Sequence, residues 1–231
     1  MKHKLTVKIV TLVIVIINIA SVLFLDFFNS QLVRLALSAL FLILFLFLKT
    51  RNKLYLVILV FMVIADIVDL YYTKPYITEI YSLIKMIAFS LLAFSVLKKI
   101  KIQKLEYKVV ILFSVVVGIN LLIAYKLVSE TSNLLYNNIE RIAMFANWIV
   151  SIAVAAVAAK YYFDSESKKA FYFMCFTFLF IFTDLCGFIS NSFGMHSFLY
   201  LERILYFLAY MYLSFYLYFT EENKDDVLEL F

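Results

Sequence analysis

Apolar residues run through this chain in long blocks, and polar residues gather in the short gaps between them. The blocks lie at about 8–26, 31–49, 54–72, 77–97, 107–127, 139–162, 169–191 and 196–219. Each is close to the ~20 residues that an α-helix needs to cross the hydrocarbon core of a bilayer. Two-residue alternation is absent, and the strands of a membrane barrel need only about 9–11 residues each. The pattern predicts an all-α polytopic membrane protein with eight transmembrane helices. The first block follows a basic start, MKHK, as the core of a signal peptide would. It is longer than such a core and lacks a small-residue cleavage site, so it is read as the first membrane helix.

Composition supports lipid as the solvent. The chain is 65% hydrophobic and 19% aromatic with a mean hydropathy of +0.97, more apolar surface than a soluble domain can hide. With 3 Gly and 1 Pro, few helices should be interrupted. The positive charge has a topological explanation. With the N-terminus in the cytoplasm, 15 of the 21 Lys and Arg residues fall in or beside inner loops, and only Lys74 and Lys126 lie outside. Cytoplasmic loops collect Lys and Arg, so both termini are expected to be cytoplasmic, in the cell membrane, as in a bacterial inner membrane. The net charge of +5 then calls for no nucleic-acid partner. The acidic stretch 220–231 reads as a short solvated cytoplasmic tail. Two cysteines, Cys175 and Cys186, lie on one predicted helix and read as buried free thiols. Two histidines are too few for a multi-histidine metal centre, and neither metal nor cofactor is expected.

The remaining four bases, Arg34, Lys85, Arg141 and Arg203, fall inside the apolar blocks, as do Asp66 and Asp184. All six would lie in the outer half of the membrane. Asp66 precedes Lys85 by nineteen residues, and Asp184 precedes Arg203 by nineteen, so the two stretches align without a gap. This predicts a single membrane domain built of two parallel-repeat halves, about 8–97 and 107–219, joined by the basic loop KKIKIQKLEYK. The halves differ in detail, since Asp69 stands one turn beyond Asp66 where the second copy has Gly187. Glu140 and Glu202 precede two of the bases in the echo IERIAMF and LERILYF. Ser151, Ala155 and Ala159 recur every four residues and suit close helix packing. Asn18 and Asn120, mid-helix in each half, are expected to hydrogen-bond between helices. Tyr206 and Tyr210 follow Arg203 on approximately its own face and are candidates to line a cavity.

Around the two aspartates, VIADIVDL and LFIFTDLCGF resemble the Asp-bearing motifs of the YhhN-like lysoplasmalogenase family. Thr183-Asp184 stands where that family has Ser-Asp, and YLERILYFLAYMYL fits the helix that follows. Ala65-Asp66 replaces Gly-Asp, and Arg34 lies where the family has Lys-Pro. The resemblance implies hydrolysis of the vinyl-ether bond of a lysophospholipid, releasing an aldehyde. Asp66 and Asp184 would be the catalytic acid and base. Lys85, Arg203, Arg34 and Arg141 are candidates to hold a headgroup phosphate, since guanidinium forks match phosphate oxygens.

Two other readings use the same residues. Asp66–Lys85 and Asp184–Arg203 can be buried ion pairs that only tie helices together, though stability alone is a weak reason to keep such pairs. Titrating carboxylates in membrane helices also suit a lipid- or proton-binding carrier or sensor.

Overall fold

Long apolar blocks with few breakers leave the backbone one way to satisfy its polar groups in lipid, the α-helix. The computed structural model describes residues 2–47, 53–71, 74, 76–100, 107–131, 135 and 137–221. They form α1 (Lys2–Phe24), α2 (Phe27–Phe47), α3 (Lys53–Asp69), α4 (Ile77–Leu97), α5 (Tyr107–Glu130), α6 (Asn138–Ser165), α7 (Lys168–Phe193) and α8 (Ser197–Glu221), with no strand among the described residues. Every apolar block became one helix. Six of them, α2 and α4 to α8, are long and apolar enough to cross a membrane. The described apolar part of α1 is shorter, Ile9–Phe24, and α3 has 17 residues. The tail beyond residue 221 lies outside the described residues, as does most of the basic loop at 101–106.

Helix ends follow local chemistry. Ser167 caps α7 by accepting the Ala170 N–H at 3.2 Å. Asn137 caps α6 by accepting the Glu140 N–H at 2.8 Å, and its Nδ2 donates to Glu79 Oε1, in the first turn of α4, at 2.9 Å. Gly194 ends α7 in the left-handed conformation, φ 66°, with open space where a Cβ would stand. Gly187, inside α7, is an ordinary helical position whose Cβ would meet Glu202 Cγ at 3.6 Å, a normal van der Waals contact. The two glycines should therefore respond oppositely to alanine. Gly194→Ala is expected to destabilise by about 1–2 kcal/mol through backbone strain. Gly187→Ala is expected to be neutral or stabilising by up to about 1 kcal/mol, since Ala is the better helix former. Thermal unfolding of the two variants in detergent checks both signs.

The chain divides into two compact units, with boundaries after Leu56 in α3 and after Asp164 at the end of α6. One unit holds α1, α2, α7 and α8. Its most extensive packing is α7 on α8, and α1 packs on both α8 and α2. Its core is aromatic. Tyr216 meets Tyr55, Phe173 and Phe176, and Phe180 packs on Tyr206 and Tyr210. The Tyr55 and Tyr216 hydroxyls are 2.7 Å apart, so each phenol carries a partner into the core.

The other unit holds α4, α5 and nearly all of α3 and α6. On α6 the buried stripe Glu140, Met144, Asn147, Ser151, Val154, Ala158 and Tyr161 keeps helical spacing throughout. Ser151 and Ala159 of the small-residue series are buried, and Ala155 is half-buried. On α4 the stripe is Ser82, Lys85, Ala88, Phe89, Leu92 and Val96. The outward faces are apolar as well. Ile111, Val115, Val116, Ile119, Leu122 and Ile123 are all exposed on α5. Exposed apolar surface on this scale is stable only against lipid or another apolar partner. The helices are those of a multi-pass integral membrane protein. Asn120 corrects one expectation: it is exposed and donates to the Val116 carbonyl of its own helix at 2.8 Å instead of bridging helices. The side chain satisfies its donor one turn back along its own helix.

Candidate functional site

Polar side chains inside an apolar helix packing must answer each other, and in the unit of α1, α2, α7 and α8 they gather at one level. From α2, Arg34 donates through Nη1 to Glu202 Oε1 of α8 at 2.5 Å. Arg203, next along α8, places Nε 3.5 Å from the other Glu202 oxygen. Glu202 thus stands between two guanidinium groups. Arg203 is 0% exposed, Glu202 3% and Arg34 6%. Buried charge of this kind persists only with compensation nearby.

The surrounding rings are aligned by helical spacing. Tyr206 is one turn beyond Glu202, and Arg34 lies over its ring, 5.7 Å from the centroid. The Tyr206 and Tyr210 hydroxyls are 3.2 Å apart. On α2, Phe41 is two turns beyond Arg34 and stacks on Tyr210 at 5.0 Å. On α7, Phe180 packs against both tyrosines, and Gly187 lies against the Glu202 side chain. Asp184 falls between Phe180 and Gly187 on that face, four residues from one and three from the other. It is half-buried, with Oδ2 out of contact with solvent. Two acids and two bases at one level make a cluster that is neutral when all four are ionised. Thr183, also buried, turns its hydroxyl to the Leu179 carbonyl.

In the other unit the same ingredients are arranged differently. Asp66 of α3 and Lys85 of α4 are buried. The Lys85 ammonium is 3.7 Å from Met62 Sδ, one turn before Asp66 on the same face of α3, and 5.1 Å from the centroid of the Phe89 ring. Glu140 is buried and accepts the backbone N–H of Tyr76 at 2.9 Å. Tyr76 is left-handed, φ 67°, at the start of α4, so its N–H needs a partner from outside that helix. Arg141, beside Glu140, is exposed at the beginning of α6. The echo IERIAMF and LERILYF therefore has two buried acids but only one buried base.

Of the residues expected from sequence, Arg34, Arg203, Tyr206, Tyr210 and Asp184 meet in one unit. Asp66 and Lys85 belong to the other, with Arg141 on its surface. Glu202 is the addition that the structure supplies, as the acid that Arg34 binds and that lies 3.5 Å from Arg203 Nε. Its signal was the acid-base adjacency inside an apolar helix: neighbours about 100° apart can both be buried only where the helix is covered widely. Half of the α8 span is buried, against 11% of the α5 span. Among the described residues no group of three or more His, Cys, Asp or Glu side chains is placed to hold a metal ion. No family model, curated protein or solved structure matches this chain.

Proposed function

We propose that the chain is an intramembrane hydrolase that cleaves the vinyl-ether bond of a lysophospholipid, with Asp66 and Asp184 as its acid and base. The observation that supports this most is the buried cluster of Arg34, Glu202 and Arg203, level with Asp184 and floored by Tyr206 and Tyr210. In this reading all eight helices cross the cell membrane, both ends are cytoplasmic, and the halves are parallel repeats. The arginines would hold the headgroup phosphate, with Lys85 and Arg141 in the same class, and the tyrosine rings would flank the chain.

The chemistry suits two carboxylates. One, protonated, delivers its proton to the outer vinyl carbon. The oxocarbenium ion so formed is stabilised by the other carboxylate, which also takes a proton from the attacking water. The hemiacetal collapses to an aldehyde and a glycerophospho alcohol, so one water is consumed and no redox partner is needed. The same division of labour, acid on one side and base or stabiliser on the other, operates in glycoside hydrolysis. Purified protein should release aldehyde from a lysoplasmalogen and none from the saturated alkyl ether with the same headgroup. Failure to release aldehyde from either lipid overturns the proposal.

One observation favours a second reading. Glu202 and Arg34 already compensate each other at 2.5 Å, as in a site held closed until a ligand or proton displaces one partner. A non-enzymatic carrier or sensor of lipid or protons would use the cluster in that way.

A further inference from the structure

We infer that α5 carries a self-association face, through which two copies of this chain dimerise in the membrane with their Asn120 amides paired. Of the six helices long and apolar enough to cross a membrane, α5 is the least covered by its own chain, with 11% of its span buried. Asn120 is exposed on it, roughly 20 Å of rise from Tyr107 and 15 Å from Glu130. That places the amide near the middle of a hydrocarbon core about 30 Å thick. One amide hydrogen goes to the Val116 carbonyl. The second hydrogen and the carbonyl oxygen have no partner among the described residues, and the bilayer core holds no water to supply one.

The residues around Asn120 form a seam. Phe113, Val116, Asn120, Ile123 and Leu127 follow one another at alternating steps of three and four, the spacing that keeps one edge of a helix against a parallel neighbour. Val116 and Ile123, on either side of Asn120, are 50% and 49% exposed. Phe113 and Leu127 are half-buried. A second copy fits this face better than any other occupant. Copies inserted with the same topology are related by an axis along the membrane normal, so a seam residue meets its own counterpart at its own depth. An amide both donates and accepts, so two of them satisfy each other, Nδ2 of each copy donating to Oδ1 of the other. A lipid acyl chain offers neither group. A single Asn in an otherwise apolar seam fixes the register and the number of associating helices in the same way. The inference uses the fold alone and does not depend on hydrolysis.

Fluorescently labelled protein in phosphatidylcholine vesicles, diluted stepwise with lipid, reads the dimer fraction by energy transfer. The wild type should pass from dimer to monomer on dilution. Asn120→Leu should dissociate about threefold to thirtyfold more readily, the worth of an amide hydrogen bond between membrane helices. Its thermal unfolding as a monomer in detergent should match the wild type, because the side chain is exposed. Cysteine cross-linking in the same vesicles, with Cys175 and Cys186 replaced by alanine, locates the face. Val116→Cys and Ile123→Cys should oxidise to a covalent dimer. Val115→Cys and Leu122→Cys should not, although those positions are 52% and 68% exposed at nearly the same depths, because each lies about 100° around the helix from its seam neighbour. A monomer at every dilution, with lipid alone covering α5, overturns the inference. So does cross-linking at 115 and 122 that equals that at 116 and 123, or a folded Asn120→Leu that dimerises as tightly as the wild type. The cross-linking pattern decides even if Asn120→Leu fails to fold.

Discussion

Glu202→Gln is expected to destabilise the protein by about 3–5 kcal/mol, among the largest effects of any single substitution outside the aromatic core. The side chain keeps its shape and loses only its charge. Two buried guanidinium groups, Arg34 at 2.5 Å and Arg203 at 3.5 Å, then share a neutral amide in place of a carboxylate. Arg34→Met should cost less, because Glu202 keeps Arg203 beside it. Combining the two changes should lose less than the sum of the singles, with a coupling of about 1–3 kcal/mol. Thermal unfolding of the wild type, both singles and the double in one detergent closes the cycle. Strict additivity would show that the Arg34–Glu202 contact carries no net energy.

Asp66→Asn and Asp184→Asn are each expected to lower turnover of a lysoplasmalogen by about 10²–10⁴, the usual contribution of a positioned acid or base. The carbon of a vinyl ether is a poor base, so its protonation needs a carboxylic acid that water cannot replace at neutral pH. The developing cation next needs a carboxylate that an amide cannot imitate. Both changes preserve size, and substrate binding should change little, since the arginines and tyrosines are untouched. Full activity in either variant removes that residue from the mechanism. A loss confined to KM would move it from catalysis to binding.

The elements were legible because their cause is local. Each apolar block is bounded by polar residues, and the expected 77–97 coincides with α4. Where ends differ, the reason is chemical. Lysine and threonine do not stop a helix, so α1 begins at Lys2, ahead of the apolar run. The left-handed Gly194 carries the end of α7 beyond 191 to Phe193. Arg34, Arg203, Tyr206 and Tyr210 were readable as site candidates, because a charge in an apolar helix needs a partner and a residue one turn away shares its face. What sequence spacing did not reveal was which acid answers which base. The nineteen-residue spacing directs attention to Asp184 with Arg203. Glu202 reaches Arg34 across 168 positions, through a packing of α2 on α8 that no local pattern encodes. Arg141 shows the converse, since an arginine four residues into a helix can still point outward, and Glu140 beside it takes the buried place.

Turnover of a lysoplasmalogen in D₂O, with the aldehyde analysed by mass spectrometry, tests the central claim most directly. Protonation of the vinyl carbon by an enzyme carboxyl in exchange with solvent places one deuterium on the carbon next to the aldehyde. The account predicts one such carbon-bound deuterium per aldehyde released by the wild type, and loss of the product in both aspartate variants. Aldehyde without carbon-bound deuterium, or no aldehyde at all, contradicts it.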